Sequence, residues 1–139
     1  MYFVRHAHSS YTPEEYRRPL SEAGHKEAHK VAKFFESIDI NAIYSSKYKR
    51  ATETVQPIAT AKNLHITELE ALNERTLANF KLPDFENAIV KVWSQPTYSF
   101  QGGESNMEAQ NRVIPTIEEL QRIHKNETIL VGRKGDFKE

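Results

Sequence analysis

An arginine–histidine pair closes the first apolar segment of the chain, and its residue types suit phosphoryl chemistry. The segment Arg5-His6-Ala7-His8-Ser9 follows the short β-prone run Met1–Val4. A neutral imidazole nitrogen attacks phosphorus well near pH 7, and a planar guanidinium can hold phosphate oxygens. The alternative is a strand-end histidine with satisfied hydrogen bonds beside a surface arginine. Taken alone, the pair fits that alternative better.

A second polar segment, Ser45-Ser46-Lys47-Tyr48-Lys49-Arg50-Ala51-Thr52, follows another apolar run. It places Lys47, Lys49 and Arg50 in the first turn of a predicted helix. Cations there oppose the helix dipole unless an anion is bound, and a helix N-terminus is a natural phosphate site. A solvated basic turn accounts for the two lysines. Because small residues follow it directly, Arg50 is the better candidate for a phosphate ligand.

The segment Leu72-Asn73-Glu74-Arg75 supplies a carboxyl group in a predicted loop. Transfer of a phosphoryl group to histidine needs an acid that protonates the leaving oxygen, and a partly buried glutamate with a raised pKa suits that role. The alternative for Glu74 is an ordinary ion pair with a neighbouring base.

Short apolar strands alternate with amphipathic helices, which predicts an α/β sandwich with a largely parallel sheet. Strands are predicted at Met1–Val4, Ile40–Ser45, Ile66–Glu70 and Thr128–Val131. Helices are predicted at Ser21–Ser37, Lys47–Lys62, Phe85–Trp93 and Ser105–His124, with a capped turn at Thr12–Glu15. The buried face of the last helix is predicted to hold Ile114, Ile117, Leu120 and Ile123. Ligands bind beyond the carboxyl ends of such strands, so the polar segments should meet at one edge.

The amino-acid composition of the chain limits the classes of function that it can have. The 139 residues contain 38% apolar side chains, no cysteine and equal numbers of acidic and basic groups. This predicts a single domain over residues 1–139, without thiolate chemistry, a membrane segment or a nucleic-acid partner, and with a cytoplasmic location. His25 and His29 have metal-binding spacing, but no third ligand lies near them in sequence, so no metal site is predicted. The mixed charges of Arg133–Glu139 indicate a solvated end.

Five ordered motifs together resemble the histidine phosphatase superfamily, the phosphoglycerate-mutase-like proteins. These are Arg5-His6-Ala7, Pro19-Leu20-Ser21, Ser45-Ser46 through Thr54, Asn73-Glu74-Arg75 and Gly102-Gly103-Glu104-Ser105. The resemblance covers nearly the whole chain. It implies a three-layer α/β/α fold and a mechanism through a phosphohistidine that uses neither metal nor cofactor.

The resemblance also implies roles for individual residues. His6 matches the nucleophile and Glu74 the proton donor. Arg5 and Arg50 match the arginines that bind phosphate, and Ser9 matches a small hydroxyl residue that helps to hold it. Glu104 and Ser105 match a loop near the pocket.

The chain departs from the family at its C-terminal end. Alignment on Gly135 puts Lys134 where the family has a second histidine, and a lysine offers phosphate a point charge of poorer geometry. The chain then ends at Glu139, where family members continue with a helix that covers the sheet. We therefore expect that the closing helix is missing. A truncated or altered C-terminus is favoured over a naturally short one. Self-association is one way in which the sheet surface left open could be covered.

The leading functional hypothesis is a phosphomonoester hydrolase that acts through His6 on a small phosphorylated metabolite or a phosphoprotein. The main alternative is a catalytically weak phosphate-binding or interaction module with the same fold, which Lys134 and the short end favour. A phosphoglycerate-type mutase fits less well, because too few residues separate Glu74 from Gly102 for the insertions typical of those enzymes.

Overall fold

The computed structural model describes residues 1–73 and 106–133, so the predicted helix around Phe85–Trp93 and the candidates Glu74 and Lys134 lie outside it. Its strands are β1 (Tyr2–Val4), β2 (Ala42–Ser45), β3 (Ile66–Glu68) and β4 (Ile129–Gly132). Its α-helices are α1 (Glu22–Phe34), α2 (Lys49–Lys62) and α3 (Asn106–Ile123), and two 3-10 turns cover Glu15–Arg17 and Glu70–Leu72.

The four strands form one parallel sheet in the order β1-β4-β2-β3. In this register Val4 of β1 and Ser45 of β2 both lie opposite Gly132 of β4, and Ser45 also lies opposite Glu68 of β3. Strand β4, the last of these four in sequence, is thus central in space and is buried along its whole length. The carboxyl ends of all four strands share one level of the sheet.

Apolar side chains alternate between the two faces of the sheet, as the two-residue period of a strand requires. Leu130 packs on one face with Val55 and Ile58 of α2 and with Phe35, the C-cap of α1. Its neighbours Ile129 and Val131 pack on the opposite face with Leu120 of α3. Helices therefore cover both faces, which confirms the predicted three-layer α/β/α sandwich with a parallel sheet.

The helix starts follow the predictions with two differences. Ser21 caps α1 as the spacing indicates, because its side chain accepts a hydrogen bond from the backbone of Gly24. Helix α2 begins at Lys49, two residues later than predicted, and its N-cap Tyr48 makes no side-chain capping bond. The predicted box at Thr12 is wrong as a helix cap, because the 3-10 turn begins only at Glu15 and the Thr12 hydroxyl donates to the Glu14 carbonyl.

The predicted buried face of α3 is wrong at its two ends. Val113 and Leu120 are buried, whereas Ile114 and Ile123 are 39% and 55% exposed. A strict three-residue repeat drifts around a helix by about 60° at each step, so residues nine apart face opposite sides.

On the exposed side of α3, a hydrogen bond from Arg122 lowers the pKa of Glu119 below its ordinary value. None of the described helices is long and apolar enough to cross a membrane.

Close packing at the end of β4 predicts the effect of Gly132→Ala on stability. A Cβ at position 132 would lie 2.7 Å from Cγ1 of Val55, which is fully buried and cannot move aside freely. We expect Gly132→Ala to lower the free energy of unfolding by about 1–3 kcal/mol in urea denaturation. The double variant Gly132→Ala/Val55→Ala should lose less stability than the two single losses added together. Additive losses would show that the two side chains do not collide.

Candidate functional site

Backbone hydrogen bonds bring the segments that follow three strands together at the carboxyl edge of the sheet. The amide of Arg133, which follows β4, donates to the carbonyl of Val4 at 2.9 Å. The amide of Ser46, which follows β2, donates to the carbonyl of Gly132 at 3.1 Å. The segment that starts at Arg5 and the segment that leads to Arg50 therefore leave the sheet beside each other, as the alternation of strands and helices predicted.

The imidazole of His6 is oriented by its own backbone. Its Nδ1 lies 2.8 Å from the carbonyl oxygen of Ala7, and the ring is partly buried. Because a carbonyl can only accept, Nδ1 must carry the proton in this contact, and Nε2 of the neutral ring then carries the lone pair. A fixed ring with a defined tautomer is the arrangement that a nitrogen nucleophile requires.

One hydroxyl group links the His6 loop to the start of α2. The amide of Ala7 donates to Oγ1 of Thr54 at 3.0 Å, and the same hydroxyl donates to the carbonyl of Arg50 at 2.6 Å. Both contacts are buried. The backbone next to the predicted nucleophile is thus fixed to the backbone of a predicted phosphate ligand.

The side chain of Arg50 is only 3% exposed, although it carries a charge. Its Nη1 donates to the carbonyl of Glu15 at 2.9 Å, and its Nη2 lies 3.3 Å from Oε2 of the same residue. Its guanidinium carbon also lies 4.5 Å from the ring centroid of Tyr48, a cation–π contact. Burial with directed partners holds this guanidinium in one orientation.

Two other predicted phosphate ligands have different surroundings. Arg5 is exposed beyond the end of β1 and makes no ion pair with any residue that the structure describes. Ser9 is half-buried, and its backbone forms an antiparallel bridge with Leu20. The hydroxyl of Ser9 has no hydrogen-bond partner within residues 1–73 or 106–133. Both side chains retain donors for an incoming anion.

The Pro19-Leu20-Ser21 motif fastens the loop after His6 to α1 and α2. The amide and the hydroxyl of Ser21 both donate to the His8 carbonyl, at 2.9 and 3.1 Å. Glu53 of α2 accepts a hydrogen bond from the amide of Leu20. A Cβ added to Gly24 would lie 2.0 Å from the His8 oxygen, so α1 and this loop are in close backbone contact.

Asn73 fixes the segment that leads to Glu74. Its Oδ1 accepts from the amide of Lys47 at 2.9 Å, and its Nδ2 donates to the hydroxyl of Tyr16 at 3.1 Å. Its carbonyl accepts from Nη1 of Arg112 on α3 at 2.8 Å. Sequence reasoning singled out the motif for Glu74 and missed this role of Asn73, although the amide side chain stands in the same motif.

Arg133 was also missed, and the interpretation of the end of the chain as solvated is wrong for this residue. Its side chain is only 4% exposed. Close by, the hydroxyl of Ser46 is buried and has no hydrogen-bond partner among the described residues. The signal for Arg133 is its position, because it directly follows the central strand at the edge where polar groups gather.

The two histidines at metal-binding spacing lie on α1. His25 pairs with Glu53 at 3.4 Å, and both histidines line a groove between α1 and α2. Within residues 1–73 and 106–133, no three histidine, aspartate or glutamate side chains are grouped so as to hold a metal ion.

Sequence comparison connects this geometry with known proteins. The profile of the histidine phosphatase superfamily (branch 1) matches residues 1–136. Phosphoserine phosphatase 1 of Hydrogenobacter thermophilus is 33% identical in an alignment that covers 92% of this chain and 67% of that protein.

Structural comparison gives the same family of folds. The Bacillus stearothermophilus protein YhfR has a TM-score of 0.80 at 25% identity, covering 96% of this chain and 73% of its own. A mycobacterial glucosyl-3-phosphoglycerate phosphatase has a TM-score of 0.79 at 20% identity, covering 96% of this chain and 72% of its own. These neighbours share the fold that the sheet order and the two covered faces describe.

The contacts of Asn73 predict that Asn73→Ala lowers activity as well as stability. The substitution removes the acceptor of the Lys47 amide and the donor to Tyr16, so both the start of α2 and the segment before Glu74 lose a fixed position. We expect kcat/KM for an aryl phosphate to fall about ten-fold or more, since small displacements of catalytic groups are costly.

Asn41→Ala is the matched control for Asn73→Ala. The side chain of Asn41 also accepts a backbone hydrogen bond, from Thr128 at 2.8 Å, but it does so at the opposite edge of the sheet. The variant Asn41→Ala should be less stable than the wild type, while its kcat/KM stays unchanged. Equal loss of activity in the two variants would mean that the effect comes from stability alone.

Proposed function

The chain belongs to the histidine phosphatase superfamily, and from that premise we propose that it is a phosphomonoester hydrolase in which His6 accepts the phosphoryl group. The observation that carries the proposal is the orientation of His6 at the carboxyl edge of the sheet. Its Nδ1–H is engaged by the Ala7 carbonyl at 2.8 Å, which places the lone pair of the neutral ring on Nε2, the atom that attacks. The proposal is further supported by the hydrogen bonds through Thr54 that connect this loop with Arg50.

In the first step, Nε2 of His6 attacks the phosphorus atom and the bond between phosphorus and the ester oxygen breaks. Glu74 gives its proton to that leaving oxygen, so the alcohol departs uncharged. In the second step, Glu74 takes a proton from water while the water oxygen attacks the phosphohistidine. The bond between phosphorus and Nε2 then breaks, which releases inorganic phosphate and restores neutral His6.

The phosphoryl oxygens carry most of the charge during both steps, so their ligands determine the rate. We assign this role to Arg5 and Arg50, to the hydroxyl of Ser9 and to Lys134. The burial of Arg50 supports its part, since a cation in a partly dry site interacts strongly with an anion. These groups would supply the positive charge without a metal ion or a cofactor.

The substrate we propose is a small phosphomonoester. Two of the proteins named above are by name a phosphoserine phosphatase and a glucosyl-3-phosphoglycerate phosphatase, and both substrates are small phosphorylated molecules. A phosphoprotein side chain is the second substrate class that the sequence left open. A comparison of kcat/KM for phosphoserine and for a phosphoserine-containing peptide would distinguish the two classes.

The second candidate function is a phosphate-binding module of the same fold with little turnover. The observation that favours it is the sequence Gly132-Arg133-Lys134-Gly135, which has cations where the family has its second histidine. A lysine cannot reproduce the geometry of an imidazole, because it is longer and more flexible. On this alternative, phosphate still binds but hydrolysis is slow.

Hydrolysis of an aryl phosphate by the wild type and by His6→Ala tests the proposed function. We expect His6→Ala to lose turnover about a thousand-fold or more, because it removes the nucleophile. Acid-labile phosphate should be trapped on the wild type and not on His6→Ala. The matched control is His65→Ala, since His65 is exposed and precedes β3 at the opposite edge; its turnover should equal that of the wild type.

Lys134→His separates the two candidate functions. If the wild type turns over no faster than His6→Ala while Lys134→His gains activity, the hydrolase assignment fails and the binding module remains. If the wild type is active and Lys134→His changes its rate only slightly, Lys134 is sufficient in this position and the hydrolase assignment holds.

A further inference from the structure

A carboxylate of the chain itself occupies donors of Arg50. The side chain of Glu15 places Oε2 at 3.3 Å from Nη2 of Arg50 and Oε1 at 2.8 Å from Nη2 of Arg18. Its backbone carbonyl also accepts from Nη1 of Arg50 at 2.9 Å. One acidic residue therefore bridges two arginines, and one of them is a proposed phosphate ligand.

A guanidinium offers the same planar pair of donors to a carboxylate and to a phosphate. The N–H of Nη2 that donates to the carboxylate of Glu15 cannot point at the same time to a phosphate oxygen, although Nη2 carries a second N–H. A phosphate that takes the same N–H must therefore replace the Glu15 carboxylate.

The two partners differ in their freedom to move. The Arg50 side chain is 3% exposed, whereas the Glu15 side chain is 57% exposed and lies in a short 3-10 turn. The carboxylate can turn away towards water while the guanidinium stays where the Tyr48 ring and the backbone hold it.

An aromatic pair keeps Glu15 close to Arg50 even when the carboxylate has turned away. The rings of Tyr16 and Tyr48 are stacked with centroids 4.7 Å apart and planes 10° from parallel. Tyr16 also accepts the hydrogen bond from Asn73. An anchored neighbour competes at a high effective concentration, as any intramolecular ligand does.

We propose that Glu15 is an internal competitor of phosphate at Arg50, which leaves Arg50 when phosphate binds and returns when phosphate departs. This inference rests on the proposed function, because it takes Arg50 as a phosphate ligand. In this arrangement Glu15 weakens the binding of substrate and product phosphate alike. It acts through Arg50 and is not itself a catalytic residue.

Calorimetric titration with inorganic phosphate tests the proposal on the wild type, Glu15→Gln and Glu14→Gln. Glutamine keeps the size of the side chain and removes the charge that competes. We expect Glu15→Gln to lower the Kd for phosphate about two- to five-fold, the range that a partly exposed ion pair can supply. Glu14→Gln is the matched control, because Glu14 pairs at 3.4 Å with Arg17 on the surface and changes the net charge equally. Its Kd should equal that of the wild type.

Two further variants show whether Arg50 transmits the effect. Arg50→Met should weaken phosphate binding, and adding Glu15→Gln to Arg50→Met should give no gain. Thermal unfolding of all variants checks that each is folded. A structural role of Glu15 would weaken phosphate binding in Glu15→Gln, the opposite of the expected direction.

Four results would overturn the proposal: Kd unchanged or raised in Glu15→Gln, an equal gain in Glu14→Gln, a gain that persists without Arg50, or no phosphate binding by any of the proteins. The proposed function is tested separately, and it is rejected if the wild type hydrolyses the aryl phosphate no faster than His6→Ala does. Tighter phosphate binding by Glu15→Gln together with such a wild type would support the internal competitor and reject the hydrolase.

Discussion

The backbone pairing of β4 with β1 on one side and β2 on the other aligns the ends of three strands that are far apart in sequence. Val4, Gly132 and Ser45 lie at one level of the sheet. The segments that begin after them can then exchange further backbone hydrogen bonds, through the amides of Arg133 and Ser46. A register shift of one residue would turn every side chain of β4 to the opposite face and move these segments apart. The placement of His6 and Arg50 depends on this pairing.

Buried positive charge lies at the same edge of the sheet. Arg50 and Arg133 are 3% and 4% exposed, and a buried cation is costly unless anions or dipoles compensate it. Glu15 supplies part of that compensation for Arg50. The fold thus holds a guanidinium in a position that favours the binding of an anion. The formal net charge of the chain is zero, so this local positive charge comes from where the arginines lie and not from an excess of basic residues.

Sequence reasoning was most accurate where one local signal decides the structure. The apolar run at Ile129 and the Ser21 cap gave a strand and a helix start within a residue of those observed. It failed where the outcome depends on tertiary contacts. The three-residue spacing from Ile114 to Ile123 was right for Ile117 and Leu120, which pack in the core, but it also included the exposed Ile114 and Ile123 and missed the buried Val113. The contacts of Asn73 with Lys47 and of Glu15 with Arg50 join residues 26 and 35 positions apart, and no local pattern indicates such pairs.

The close approach of α1 to the loop after His6 restricts which sequences can carry this site. A Cβ at position 24 would overlap the oxygen of His8, whose carbonyl also accepts two hydrogen bonds from Ser21. Even alanine, the residue that helices favour most, would push the loop outward from a position that takes no part in the chemistry. Among variants that keep this loop geometry, the freedom to vary at position 24 should therefore be as small as at the nucleophile itself, for reasons of volume alone.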